Sequence, residues 1–171
     1  MSDTFAPRAA ATLRPAARAD LPAINGIVER AVMTWMLAER VKRLSLPSYR
    51  YHAHDFLHMQ GIVAEDSTGT LRGVAMWDES DPRDTPAGQR GLLLHGLYVD
   101  PAHQREGIGS RLLDAAAEAA RIGGHDGLLV KAQADTCGFF ATRGLERLPV
   151  NDPARDYPHR YWLPLADVMA R

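Results

Sequence analysis

The segment that most constrains how this chain can fold is an apolar strand that runs through a glycine turn into a long helix. Residues 92–99, Leu-Leu-Leu-His-Gly-Leu-Tyr-Val, read as a strand, and Asp100-Pro101 stops it. Residues 107–122 repeat apolar positions at helical spacing, with Ile108, Leu112, Ala115/Ala116 and Ala119 on one face and Gly123-Gly124 as the stop. A strand that hands over to an amphipathic helix needs a sheet beside it and a helix layer over it, so the expected class is α/β. The turn itself carries chemistry. Its backbone N–H groups have no partner within the helix, and the helix dipole adds positive potential at the same place. Gly107 and Gly109 remove the side chains that would keep an anion off that backbone. A phosphate- or pyrophosphate-bearing ligand is the expectation.

The rest of the chain reads as the same kind of domain. Residues 12–14 predict a short strand ended by Pro15. Asp20 is read as a helix N-cap, and Leu21, Ile24, Ile27, Val28 and Ala31 predict a helix over 21–32. A second helix is expected over 34–44, with Trp35, Leu37, Ala38 and Val41 inward and Pro47 ending it. Residues 48–60 hold Tyr49, Tyr51, His52, His54 and His58 and show no clear period. Strands are expected over 61–65 and 71–77, followed by a polar loop over 78–89. After the long helix come a buried strand at 128–130, a short helix capped by Asp135 and stopped by Gly144, and strands over 145–150 and 160–165.

Composition narrows the function classes. With 171 residues, 46% of them hydrophobic, the chain can bury a core without disulfides or metal. Residues 1–11 read as a flexible lead with no signal peptide, and 12–171 as one domain. No stretch approaches the ~20 apolar residues of a membrane span. A net charge of −1 offers nothing to hold a polyanion, so neither nucleic acid nor membrane is an expected partner. Cys137 is the only cysteine, which excludes an internal disulfide and points to a reducing, cytoplasmic compartment.

Spacing separates the phosphate-binding motifs. A P-loop needs Gly-Lys-Ser/Thr, and the dinucleotide fingerprint needs a third glycine where Leu112 stands. The run Gln104-Arg105-Glu106-Gly107-Ile108-Gly109 matches Gln/Arg-x-x-Gly-x-Gly/Ala and is preceded by Leu97-Tyr98-Val99-Asp100-Pro101. This resembles the signature of the GNAT superfamily of acyl-CoA-dependent N-acyltransferases. The resemblance extends to Leu13-Arg14-Pro15-Ala16 with the helix after it, to Phe139-Phe140-x-x-x-Gly144-Leu145, and to Arg160-Tyr161-Trp162-Leu163. It implies a mixed, mostly antiparallel sheet of about six to seven strands with about four helices.

The resemblance also implies roles. Leu97, Tyr98 and Val99 would line the pantetheine arm of acetyl-CoA. Gln104, Arg105, Glu106, Gly107, Ile108, Gly109 and Ser110 would hold its pyrophosphate, and Gln133, Phe140 and Arg143 would flank its other side. Gly96 would mark a bulge that turns an amide toward the thioester carbonyl, where it stabilises the oxyanion. The reaction implied is direct attack by a primary amine of a small molecule or peptide, with no metal. A homodimer is a family-level expectation. The amine must lose a proton, because an ammonium of pKa near ~10 is not nucleophilic at neutral pH. His95 is the candidate base, since imidazole titrates near neutrality and lies just before the bulge. Phe140 stands where the family's proton-donating Tyr is usual, which keeps open a coenzyme-A-binding module without turnover. His95 also has a plain reading as a strand histidine, and His52, His54 and His58 read as solvent- or acceptor-facing rather than metal-binding.

Overall fold

Among the described residues, apolar runs and alternation in the sequence become seven strands, and the helical periods become four α-helices. The computed structural model describes residues 10–165. In chain order these form β1 (Thr12–Pro15), α1 (Leu21–Met33), α2 (Glu39–Tyr49), β2 (Gln60–Glu65), β3 (Leu71–Glu79), β4 (Gly91–Val99), α3 (Ile108–Ile122), β5 (Gly127–Lys131), α4 (Cys137–Thr142), β6 (Glu146–Arg147) and β7 (Arg160–Pro164). The sheet order is β1-β2-β3-β4-β5-β7-β6. Every pairing is antiparallel except β4 with β5. That single parallel pair is where α3 crosses over the sheet, as parallel neighbours require.

Two apolar layers sandwich the sheet. On one face Ile24, Ile27, Val28 and Val32 of α1 pack with Leu46, Tyr51, Val63, Val74 and Met76. On the other, Ile108, Leu112, Leu113 and Ala116 of α3 pack with Leu92, Leu94, Leu128 and Val130. Each fully buried Leu, Ile or Val contributes about 1.5–3 kcal/mol. The four apolar positions of α1, all at 0% exposure, therefore anchor that helix well beyond its own propensity.

Several expectations are corrected. Of the expected lead, residues 1–9 lie outside the described residues, as do residues 166–171 of the expected domain. Ala11 belongs to the core, and its carbonyl accepts a hydrogen bond from Arg111 Nη1 at 2.6 Å. Asp20 stands at the N-cap position of α1 as expected, but its side chain makes no cap hydrogen bond to that helix. Its carboxylate accepts from Ala17 N and from both ends of the Arg14 fork instead, so it turns the chain from β1 into α1. The second helix starts five residues later than expected, because residues 34–38 are spent turning back from α1. The shift changes its inward face. Lys42 and Leu46 are buried while Leu37, Val41 and Leu44 are exposed, and Pro47 sits inside the last turn. Lys42 Nζ donates to the Met33 carbonyl at 2.8 Å, one of the orphan acceptors at the end of α1. In α3 Ile108, Leu112 and Ala116 of the expected face are buried, and the buried face is wider than expected, taking in Leu113, Ala117 and Ala120 as well.

Candidate active site

The parallel pairing of β4 and β5 stops early. Gly91 to Leu94 pair with Gly127 to Val130, after which β4 continues beside β3 to Val99 while β5 ends at Lys131. A bulge accompanies the parting. Met76 of β3 pairs with Gly96 and Trp77 with Leu94, so His95 has no cross-strand partner. An extra residue on one strand bends it and re-aims a side chain. The expected bulge is therefore present, but its extra residue is His95 and not Gly96. Glycine is needed at 96 for another reason: a Cβ there would collide with the Tyr51 hydroxyl and lie 2.6 Å from the Tyr98 ring.

A cavity of about 1100 Å³ opens where the strands part. That is at or above the usual ~300–1000 Å³ of small-molecule sites. Of the sequence-predicted site residues, His95, Leu97, Tyr98, Val99, Gln104, Arg105, Gly107, Ile108, Gly109, Ser110, Gln133, Phe140 and Arg143 all line it. Glu106 does not. Its carboxylate turns away to Arg72 Nη1 at 3.6 Å and to His103 Nδ1 at 3.4 Å.

One end of the cavity has the shape of an anion cradle. Arg105 and Gly107 have left-handed backbones, with φ of 64° and 80°. Left-handed residues in a tight turn converge their N–H groups on one point. Gly107 is also the N-cap of α3, and no side chain caps that helix. The first N–H groups of α3 are thus left for an outside acceptor. A Cβ at Gly109 would meet Phe139 and Val99 only at an ordinary 3.6 Å. The protein itself does not require glycine there, which fits a backbone kept bare for close approach by a ligand. The turn and the open strand edge suit a long ligand with a phosphate at one end.

The middle of the cavity holds the titratable groups. His95 is open to solvent in the cleft, yet the cleft walls desolvate its imidazole and lower its pKa below 6.5. The carboxylates of Asp55 and Asp78 oppose that shift. Its Nδ1 lies 3.2 Å from the Tyr51 hydroxyl. Tyr51 is 2% exposed, and Asn25 of α1 clamps its backbone by donating to its carbonyl and accepting from its N–H, both at 2.9 Å. Burial raises the pKa of Tyr51 and Tyr98, so both phenols stay protonated at neutral pH.

The far wall comes from β5 and the chain after it. Gln133 Nε2 donates to the Tyr49 hydroxyl at 3.1 Å. Asp135, expected as a helix cap, instead accepts from Met36 N at 3.0 Å. These two bonds tie the α1–α2 side of the cleft to the α4 side. Phe140 is 5% exposed, edge-on to Phe139 at 5.1 Å, and Arg143 stacks over Phe139. Trp35, Tyr49 and Tyr51, aromatic residues that the sequence leaves between core and acceptor-pocket wall, are parts of the site or its support, as are Lys131 and Tyr157, which no sequence motif marked. They come from loops, a strand end and the end of α2, which only folding gathers. Elsewhere His52 stacks on His54, and His58 Nε2 lies 3.7 Å from Asp78. Among the described residues no group of three His, Cys, Asp or Glu could hold a metal, and no helix is long and apolar enough to cross a membrane.

Known proteins resemble this arrangement. A family model described as "Acetyltransferase (GNAT) family" matches residues 29–145. An L-methionine sulfoximine/L-methionine sulfone acetyltransferase from Pseudomonas aeruginosa is 33% identical over 140 residues, spanning 80% of this chain and 77% of that one. An N-acetyltransferase from Thermoplasma acidophilum, solved with coenzyme A, aligns with a TM-score of 0.65 at 14% identity, over 90% of this chain and 99% of its own. A Brucella melitensis GNAT family acetyltransferase, solved with acetyl-CoA, gives a TM-score of 0.63 at 18% identity, over 91% and 88%.

Proposed function

The chain belongs to the acetyltransferase (GNAT) family, and from that premise we propose that it acetylates the α-amine of a small amino acid or amino-acid analogue by direct attack on acetyl-CoA. It is an N-acetyltransferase, and acetyl-CoA is its co-substrate. The acceptor class rests on the acceptor named for the Pseudomonas aeruginosa relative. The observation that carries the site assignment is the parting of β4 from β5 at Leu94, with His95 bulged into the gap and the bare turn of α3 at its end.

In this reading the N–H groups of residues 104–110 hold the pyrophosphate and the edge of Leu97, Tyr98 and Val99 guides the pantetheine arm. Gln133, Phe140 and Arg143 close the other side. The bound donor supplies an activated acetyl carbonyl. His95, neutral at physiological pH because burial lowers its pKa, accepts the proton that the attacking amine loses. The thiolate departs without a side-chain acid at position 140, since a thiol of pKa about 8.5 leaves tolerably unaided. A cytoplasmic location goes with this reading, and the single cysteine supports a reducing compartment.

The test is a thiol-release assay with acetyl-CoA against amino acids, amino-acid sulfones and sulfoximines, polyamines, aminoglycosides and peptides. Release is expected with the amino-acid group at rates above all others. Release only with polyamines or peptides removes the acceptor assignment. Tight coenzyme binding with no release from any amine points to a binding module.

A further inference from the structure

We propose that Arg72 is a positioning residue for the anion-binding turn, acting through Glu106. The proposal rests on the reading that residues 104–110 hold the pyrophosphate of the donor.

Arg72 is a charged group in β3 that is only 9% exposed, and it does not line the cavity. Its guanidinium lies between two carboxylates. Nε donates to Asp66 Oδ2 at 3.2 Å, and Nη1 lies 3.6 Å from Glu106 Oε2. Asp66 is itself fixed, accepting from Thr68 N, Thr68 Oγ1 and Thr70 N at 2.9, 2.6 and 3.0 Å. The Arg72 carbonyl also accepts from Asp100 N at 2.8 Å, so the same residue holds the start of the loop that leads into the turn.

Glu106 stands between two left-handed residues, Arg105 and Gly107. Arg105 carries a Cβ, so its conformation is strained and persists only where its surroundings enforce it. A side chain between the two that is gripped from β3 supplies such enforcement. Charge gives a second reason. A carboxylate in a turn that receives a pyrophosphate opposes binding unless a cation neutralises it and draws it aside. Arg72 does both, and the second Glu106 oxygen is directed to His103 at 3.4 Å.

Calorimetric titration of the full chain with coenzyme A and with pantetheine, which carries no phosphate, tests this. Arg72→Gln is expected to weaken coenzyme A binding about tenfold, the scale of one charge-assisted contact, and to leave pantetheine binding within twofold. Arg72→Lys, which keeps the charge and folds more readily, should fall between wild type and Arg72→Gln. The double variant Arg72→Gln/Glu106→Gln should recover several-fold over Arg72→Gln alone, because the negative charge that Arg72 draws aside from the turn is gone. Equal weakening for both ligands, which a merely structural role would produce, overturns the proposal. So does a coenzyme A affinity unchanged from wild type in both Arg72→Gln and Arg72→Lys, or no recovery on removing Glu106. Wild-type protein that binds coenzyme A no more tightly than pantetheine overturns it together with the reading on which it rests.

Discussion

The Tyr51 hydroxyl lies 3.2 Å from His95 Nδ1 and fills the space that a side chain at Gly96 would need. Three features are thereby interdependent, two of them neighbours in β4 and the third brought in from Asn25 and Tyr51. The β4 bulge puts His95 into the cleft, Asn25 fixes Tyr51, and glycine at 96 lets the phenol reach the imidazole. A hydrogen bond at one ring nitrogen orients the other, which is how second partners set the role of a histidine.

Gly96→Ala is expected to lower stability by about 1–3 kcal/mol, the usual effect of overpacking a close-packed site. Tyr51→Phe removes the atom that the new methyl would strike, so the double variant should be less destabilised than the sum of the singles. The Tyr98 ring is also close to that position, so relief is partial. Urea unfolding of all four proteins measures the coupling, and strict additivity would show that the Tyr51 contact does not decide residue 96.

His95→Gln is expected to lower kcat by roughly 10²–10⁴-fold with coenzyme binding nearly unchanged. Desolvation disfavours the imidazolium, so the acid limb of the wild-type pH–rate profile should lie below the ordinary histidine value of 6.5. The stability sign follows from the same shift. The unfolded chain takes up a proton at this residue more readily than the fold does, so stability falls as pH drops through about 6.5. An NMR titration of the imidazole and a kcat profile check both statements, and a folded-state pKa above 6.5 would contradict them.

Acetyl-CoA at about 100 times its dissociation constant should stabilise the protein by roughly 2.7 kcal/mol, a rise in melting temperature of roughly 5–10 °C for a chain of this size. Gly109→Val should abolish that rise while leaving the apoprotein's own transition close to wild type. The nearest side-chain atoms around a Cβ at 109 stand 3.6 Å away, so the first carbon of a side chain there meets the protein only at ordinary contact distance. Scanning calorimetry with and without coenzyme reads both effects.

Phe140→Tyr places a hydroxyl on a ring that is 5% exposed and lines the cavity beside Phe139. Turnover is expected to rise several-fold with KM for acetyl-CoA unchanged, because the new group can protonate the departing sulfur. A flat kcat would assign that proton to another donor such as Tyr98, which lines the same cavity and stays protonated.

Local chemistry by itself determined a good deal. The strand over 92–99, the glycine turn and the helix after it were legible because apolar period, Asp-Pro and paired glycines act within a few residues of one another. For the same reason the family signature named nearly every residue that lines one side of the cleft. What the tertiary structure alone decided lies between segments. Glu106 belongs to Arg72 and not to the cavity, because β3 passes under the turn. Asp20 serves Arg14 and Asp135 serves Met36, although both stand where a helix cap would. The phase of α2 depended on how many residues the turn from α1 consumed, and a one-residue error there exchanges buried for exposed positions. Tyr51 read from the sequence only as an aromatic of the core or of an acceptor pocket, with nothing local to choose between them. A residue in an aperiodic stretch is brought to His95 only when α1 clamps its backbone over β4, and that is a long-range contact which spacing along the chain cannot express.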